Sequence, residues 1–159
     1  EIDLDPALHA LAARRLHAPT PRVALGLALA AAPVAHAALD ISDGLVGDLG
    51  HILQASGVGA HIDTTLAPHL MAASAGEPVP EQLPYGRENL LRCVLAGGDD
   101  YELLFTAAPG RRAEVEAAAR QSATRVTRIG AIDAEPGLRL LDEQGALLDA
   151  QYLAFDHFR

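Results

Sequence analysis

Two short runs of glycine and carboxylate constrain this chain more than anything else in it: Asp40-Ile-Ser-Asp-Gly44 and Gly97-Gly-Asp-Asp-Tyr-Glu-Leu103. The first closes an apolar run from Ala35 to Ile41, which reads as a buried strand. It precedes Leu45, Leu49, Ile52 and Leu53, whose i, i+4, i+7, i+8 spacing marks a helix that Gly57 stops. A strand must therefore turn into a helix at an acidic corner, with Ser42 or Asp43 as the expected N-cap. The second run joins a helical pattern, Arg87 to Leu95, to a strand pattern from Tyr101 to Ala107 with Tyr101, Leu103 and Phe105 on one face. Hard oxygen ligands beside backbone free to approach an anion are what magnesium–phosphate chemistry needs.

The remaining pattern alternates helix and strand. A helix is expected from Pro6 to Leu16, with Leu8, Leu11, Ala12 and Leu16 on one face. Pro19 and Pro21 break it, and an Ala/Leu-rich helix follows from Val23 to Ala31. Val58 to Asp63 reads as a strand, and Gly76 to Pro84, with prolines at 78, 80 and 84, as a long surface loop. Pro109 opens a helix to Gln121. Arg125 to Ile132 and Leu138 to Leu141 read as strands, with a turn at Asp142 to Gly145 before a last strand near Leu147. Residues 1–159 are expected to form a single α+β domain, a layered α/β sandwich with a mixed sheet.

Composition narrows the partners. Half the residues are hydrophobic but only 4% aromatic, so Ala, Leu, Val and Ile must build the core. A net charge of −9 argues against nucleic acid or an anionic membrane as the main partner. All 12 basic residues are Arg, which excludes a P-loop or Schiff-base lysine. The lone Cys93 cannot form an internal disulfide, which fits a cytoplasmic setting, and its place in an apolar run predicts burial. Val23 to Ala38 carries Pro33 and His36 and falls short of the roughly 20 apolar residues of a membrane span. The chain opens on Glu1, and Asp5-Pro6 already reads as a helix cap and first position. It is therefore expected to be part of a longer protein, a trimmed leader being the alternative.

At the first acidic corner, Asp40 and Asp43 would give oxygens to Mg²⁺, and Ser42 could donate to a phosphate beside the helix start. The plainer reading is that Ser42 or Asp43 caps the helix and Asp40 ends the strand. At the second, two glycines and two adjacent carboxylates are costly for a mere connector, since the charges repel and the glycines lose entropy on folding. Glu102 could be a ligand, an ion-pair partner or simply exposed, and Asp48 reads as a solvated or capping-region acid. The seven histidines show no zinc spacing, with only His51 and His157 near candidate sites. No Gly-x-Ser-x-Gly motif is present.

Ala37-Ala-Leu-Asp-Ile-Ser-Asp-Gly-Leu45, Asp48-Leu-Gly-His-Ile52, Ala55-Ser-Gly-Val-Gly-Ala60, Leu95-Ala-Gly-Gly-Asp-Asp-Tyr-Glu-Leu103 and the ending Phe155-Asp-His-Phe158 together resemble thiamine-monophosphate kinase. The likeness runs from about Arg14 to the end, Pro21-Arg22 included, and is to the C-terminal half of that family. The family sits in the aminoimidazole ribonucleotide synthetase superfamily. The resemblance implies an enzyme that moves the γ-phosphoryl group of ATP to thiamine phosphate, with an N-terminal domain that dimerises and brings most ATP contacts and further metal ligands. It implies Mg²⁺ at Asp40 and Asp43, ATP at Ser42, and substrate at Asp99 and Phe155. Ala154-Phe155 stands where Gly-Tyr is common in the family, which keeps a ring for stacking and removes a hydroxyl. Without the N-terminal half, these 159 residues are expected to be inactive.

Other readings are another enzyme of that superfamily, a domain that binds metal or a partner without catalysis, and a cyclic-dinucleotide synthase. The last rests on a loose likeness of Gly97-Gly-Asp-Asp100 to the Gly-Gly-Asp/Glu-Glu-Phe hairpin of diguanylate cyclases. That hairpin joins two strands, whereas a helix is expected before Gly97.

Overall fold

The computed structural model describes residues 6–66, 86–148 and Tyr152. Helix α1 spans Pro6–His17 and α2 spans Val23–Ala31, separated by the Pro19 and Pro21 segment. Strand β1 (Ala35–Ile41) runs to the acidic corner, from which α3 (Leu45–Ser56) departs. Gly57 closes α3 in a left-handed conformation, φ 64°, and β2 (Gly59–Asp63) follows. Helix α4 (Gly86–Ala96) stops before Gly97, and β3 (Glu102–Ala107) follows the second acidic turn. A short 3₁₀ turn, Pro109–Arg111, leads into α5 (Arg112–Gln121), then β4 (Gly130–Asp133) and β5 (Gly137–Leu141).

The strands form two sheets. In one, β1 pairs antiparallel with β3, so that Asp40 faces Leu103 and Ile41 faces Glu102. In the other, the order is β4-β2-β5, antiparallel on one side and parallel on the other. This is the expected mixed sheet. Leu147 adds a single antiparallel bridge to Leu141.

Alternation along the β1–β3 ribbon assigns its two faces to two cores. The larger core holds Leu45, Leu49, Ile52 and Leu53 of α3, Leu90, Leu91, Val94 and Leu95 of α4, and Ile62, Leu104 and Leu140 from the strands. Ala37, Leu39 and Ile41 pack against it. Leu103 and Phe105 turn the other way, onto a smaller core of Leu25, Leu29, Val34 and Ala118. The ribbon thus carries the acidic corner at its end, with β3 packed on both cores and β1 leaving His36, Ala38 and Asp40 exposed.

Four expectations are corrected. The apolar stripe of α1 is only partly turned inward among the described side chains: Leu11 is half-buried, Ala12 is exposed and Leu16 is 56% exposed. Arg15 turns inward instead, because α1 is oriented by an ion pair with Glu102. Cys93 is exposed, since α4 already presents Leu90, Leu91, Val94 and Leu95 to the core and position 93 falls on the opposite side. The strand expected from Arg125 is confined to β4, because β2 offers partners only to Gly130–Asp133. Ahead of it, Val126 packs on the smaller core and Ile129 on the larger. Finally, Tyr101 lies outside β3, its φ of 50° being incompatible with an extended strand.

Candidate functional site

The corner after β1 is fixed by glycine and by a buried acid. The N-cap of α3 is Gly44, not Ser42 or Asp43, and no side chain bonds there as a cap. Gly44 sits at φ 111°, and a Cβ on it would lie 3.0 Å from the Ala96 carbonyl carbon at the end of α4. Only glycine meets both demands. One turn into α3, Asp48 is 5% exposed. Its Oδ2 accepts the backbone N–H of Ser42 at 2.9 Å and of Asp43 at 3.1 Å. Burying a carboxylate is costly unless hydrogen bonds compensate, and the two N–H donors do so here. The expectation of a capping-region acid holds for Asp48, and that of a solvated one does not.

The second turn is bonded to the first through main chain. Asp99 N–H donates to the Ser42 carbonyl at 2.9 Å, and Tyr101 N–H to the Ile41 carbonyl at 2.8 Å. Gly98 makes this approach possible, since a Cβ there would meet the Ser42 oxygen at 2.7 Å. Two residues with side chains take left-handed backbone beside it, Asp99 at φ 64° and Tyr101 at φ 50°. For Asp this is a tolerated state, while for bulky Tyr it stores strain.

One carboxylate of the second turn bonds the Tyr101 phenol, and the charges of the first turn act on it from further off. Tyr101 Oη donates to Asp99 Oδ1 at 3.2 Å. That bond raises the phenol above its ordinary range, helped by the charge of Asp99 and, more weakly, by Asp40 and Asp43. Asp40, Asp43 and Asp99 therefore sit within electrostatic reach of the same oxygen. Next to them, Asp100 is pushed up to about 6, chiefly by partial withdrawal of its carboxyl from water, then by Glu102, with Arg15 opposing and Asp99 adding. The residue itself still shows substantial exposed surface.

Glu102 proves to be an ion-pair partner. Arg22 grips it with two bonds, Nε to Oε2 at 2.7 Å and Nη2 to Oε1 at 2.6 Å, and Arg15 Nη2 also donates to Oε1. Donation to Glu102 raises the Arg22 guanidinium above its usual range. Arg15 Nε is buried with no hydrogen-bond partner, so the helix orientation is held at some cost. These contacts span 80 and 87 residues of chain, which is why no local pattern announced them.

Of the residues singled out for function, Asp40, Ser42, Asp43 and Asp99 are brought to one edge, where β1 ends. Phe155 and the Phe155–Phe158 tail lie outside the described residues, as does the Gly76–Pro84 loop. Asp40 is exposed, and Ser42 and Asp43 are half-buried. Among the described residues no group of three His, Cys, Asp or Glu side chains is placed to hold a metal ion. Two carboxylates at an open edge still fit Mg²⁺, which keeps waters and takes one or two protein carboxylates plus substrate phosphates. A cleft of about 490 Å³ near α3 is lined by Val46, Gly50, Leu53, Val58, Pro136 and Leu138 among others, none from the acidic turns. The segment before Gly97 is helical, so the diguanylate-cyclase hairpin is not formed.

Residues 10–143 match the family described as AIR synthase related protein, C-terminal domain. The chain belongs to this family. The thiamine-monophosphate kinase of Escherichia coli O157:H7 is 38% identical over 140 residues, covering 88% of this chain and 40% of that protein. The Salmonella typhimurium LT2 enzyme is 37% identical over 151 residues, covering 94% of this chain and 43% of that protein. Among solved structures, thiamine-monophosphate kinase from Stenotrophomonas maltophilia K279a superposes with a TM-score of 0.66 at 42% identity, covering 85% of this chain and 39% of that one. AaThiL complexed with AMPPCP and TMP gives 0.63 at 26% identity, covering 99% and 44%.

As an AIR synthase related C-terminal domain, the chain has the fold that its motifs implied, and the resemblance to thiamine-monophosphate kinases is borne out. It spans about 40% of the length of these curated relatives. None of the helices described is long and apolar enough to cross a membrane.

Proposed function

We propose that this chain is the C-terminal domain of a thiamine-monophosphate kinase, a phosphotransferase that uses ATP to convert thiamine phosphate to thiamine diphosphate. The observation that carries the reading is the pairing of the two acidic turns. The Ser42 carbonyl accepts the Asp99 N–H, so the residue this reading gives to ATP and the one it gives to the substrate would share one hydrogen bond. Relatives that align along most of this chain bear the kinase name, and one structural neighbour is complexed with AMPPCP and TMP.

In this reading an oxygen of the thiamine phosphate attacks the γ-phosphorus of ATP in line. A new P–O bond forms, the bond to the bridging oxygen breaks, and ADP leaves with that electron pair. Asp40 and Asp43 would hold Mg²⁺, which when bound neutralises charge on the phosphates. Ser42 would donate to a phosphate of ATP. Asp99 would face the cationic thiazolium or the aminopyrimidine, and Phe155 would offer its ring to the same ligand. An acceptor phosphate is already ionised at neutral pH, so no general base is assigned. An N-terminal domain would supply the remaining ATP and metal contacts and the dimer interface of a cytoplasmic enzyme. The 159 residues alone would not turn over.

The test is product analysis by mass spectrometry on the complete open reading frame with Mg²⁺, ATP, GTP and thiamine phosphate, beside this chain as control. Thiamine diphosphate from the complete protein alone is expected. A cyclic dinucleotide, or no thiamine product, would overturn the reading.

A further inference from the structure

Asp48 is one of two buried polar or charged side chains among the described residues, the other being Thr64. Thr64 is accounted for by its bond to the Leu141 carbonyl, which ties β2 to β5. Asp48 instead spends one oxygen on two successive peptides of the acidic corner, Ser42 and Asp43. Two successive peptide units are each bonded at both ends. In Ser42–Asp43 the Asp43 N–H goes to Asp48 and the Ser42 carbonyl accepts the Asp99 N–H; in Ile41–Ser42 the Ser42 N–H goes to Asp48 and the Ile41 carbonyl accepts the Tyr101 N–H. A continuous path therefore runs from the interior of α3, through two successive peptide planes, to the second turn. Because the carbonyl and the N–H of one peptide unit share a plane, Ser42 O with Asp43 N–H and Ile41 O with Ser42 N–H, moving the acceptor moves both turns.

We infer that Asp48 is a positioning residue that sets the spacing between the nucleotide-and-metal turn and the substrate turn, through the two peptide units that flank the Ser42 Cα. The inference rests on the kinase reading for its functional consequence, and on the two hydrogen bonds for its geometry. What matters is the acceptor oxygen and its place, not the charge. Asp48→Asn can present Oδ1 to the same two N–H groups, Asp48→Ala presents nothing, and Asp48→Glu carries the acceptor one methylene further.

The experiment uses the complete open reading frame with these variants. Three quantities are read: amide hydrogen exchange at residues 42, 43 and 99, Mn²⁺ affinity by electron paramagnetic resonance with a non-hydrolysable ATP analogue, and steady-state kinetics. In Asp48→Ala, exchange at 42 and 43 is expected to rise about tenfold or more, with Mn²⁺ bound about tenfold more weakly and kcat/KM reduced for both substrates. Asp48→Asn is expected to stay within about threefold of the unsubstituted protein in all three. A folded Asp48→Ala with unchanged Mn²⁺ affinity overturns the proposal, and so does an Asp48→Asn as damaged as Asp48→Ala. Should Asp48→Ala not fold, Asp48→Glu decides: weaker Mn²⁺ binding supports positioning, and unchanged binding refutes it. If the unsubstituted protein makes no thiamine diphosphate, the kinase reading falls, while the exchange and Mn²⁺ measurements still judge Asp48.

Discussion

At the Ser42 turn the left-handed position is filled by glycine, Gly44, and two N–H groups are held from inside by a buried carboxylate. At the neighbouring Asp99 turn, Asp99 and Tyr101 take left-handed backbone themselves, and both residues are exposed. The first turn is held by its own helix. The second is held by borrowed contacts, namely the carbonyls of Ile41 and Ser42 and, one residue further on, the two arginines that fasten Glu102. A turn anchored from within keeps its geometry whatever its surroundings do. One anchored from outside depends on α1, the segment to Arg22 and the first turn all being in place.

The contrast is broken most directly at the side chains of the site. In the complete enzyme, Asp40→Ala or Asp43→Ala is expected to lower kcat about 100-fold, with excess Mg²⁺ restoring it only in part. Asp99→Ala should instead raise KM for thiamine phosphate and affect ATP less. Steady-state kinetics with each substrate varied would show whether the two turns divide the labour this way, and the reverse split would sink it. Next in size, Gly98→Ala places a methyl against the Ser42 oxygen, with backbone on both sides of the contact. A loss of about 2–3 kcal/mol in denaturant unfolding is expected, because neither main chain can yield cheaply.

Smaller effects sharpen the view of the second turn as externally held. Glu102→Gln keeps the shape but removes the charge that Arg15 and Arg22 share, and should cost about 1–2 kcal/mol. Its proteolytic susceptibility should rise around residues 97–101 and not around 42–44. Smallest is the pH dependence of Asp100. Its native value of about 6 lies above its ordinary 3.8, so the native state holds the proton more tightly. The stability this contributes is fully present below about 3.8 and is lost as pH rises through about 6. Relative to Asp100→Asn, the unsubstituted protein should therefore lose melting temperature between those pH values, by a modest amount because the residue is substantially exposed. A flat difference profile would remove Asp100 from the account.

Much of this was readable in the chain because it is local. The 3.6-residue spacing of Leu45, Leu49, Ile52 and Leu53 and the alternation around Leu103 and Phe105 are consequences of neighbouring residues, and they placed α3 and β3. That each acidic run sits where a strand meets a turn followed from strand ends and glycines, whereas the side-by-side placing of Ser42 and Asp99 comes from the long-range pairing of β1 with β3. What was not readable depends on distant partners. Arg15 turns inward because of Glu102, β4 is short because β2 is short, and Cys93 is exposed because its helix met the core with four other residues. The capping role expected of Ser42 or Asp43 failed for a subtler reason. The cap position itself needs positive φ and close approach to the end of α4, which puts Gly44 there.

The β1–β3 ribbon separates a larger core from a smaller one whose buried members are Leu25, Leu29, Val34 and Ala118. So small a cluster is a natural unit of sub-global opening, in which α2 and α5 come away while α3, α4 and the three-stranded sheet persist. Native-state hydrogen exchange should then show α2 and α5 amides sharing an opening energy below that of α3. Loosening there would uncover the Leu103 and Phe105 face of β3, and the strand that ends at Asp40 would keep its larger-core face while its pairing partner lost one side of its packing, without the protein unfolding.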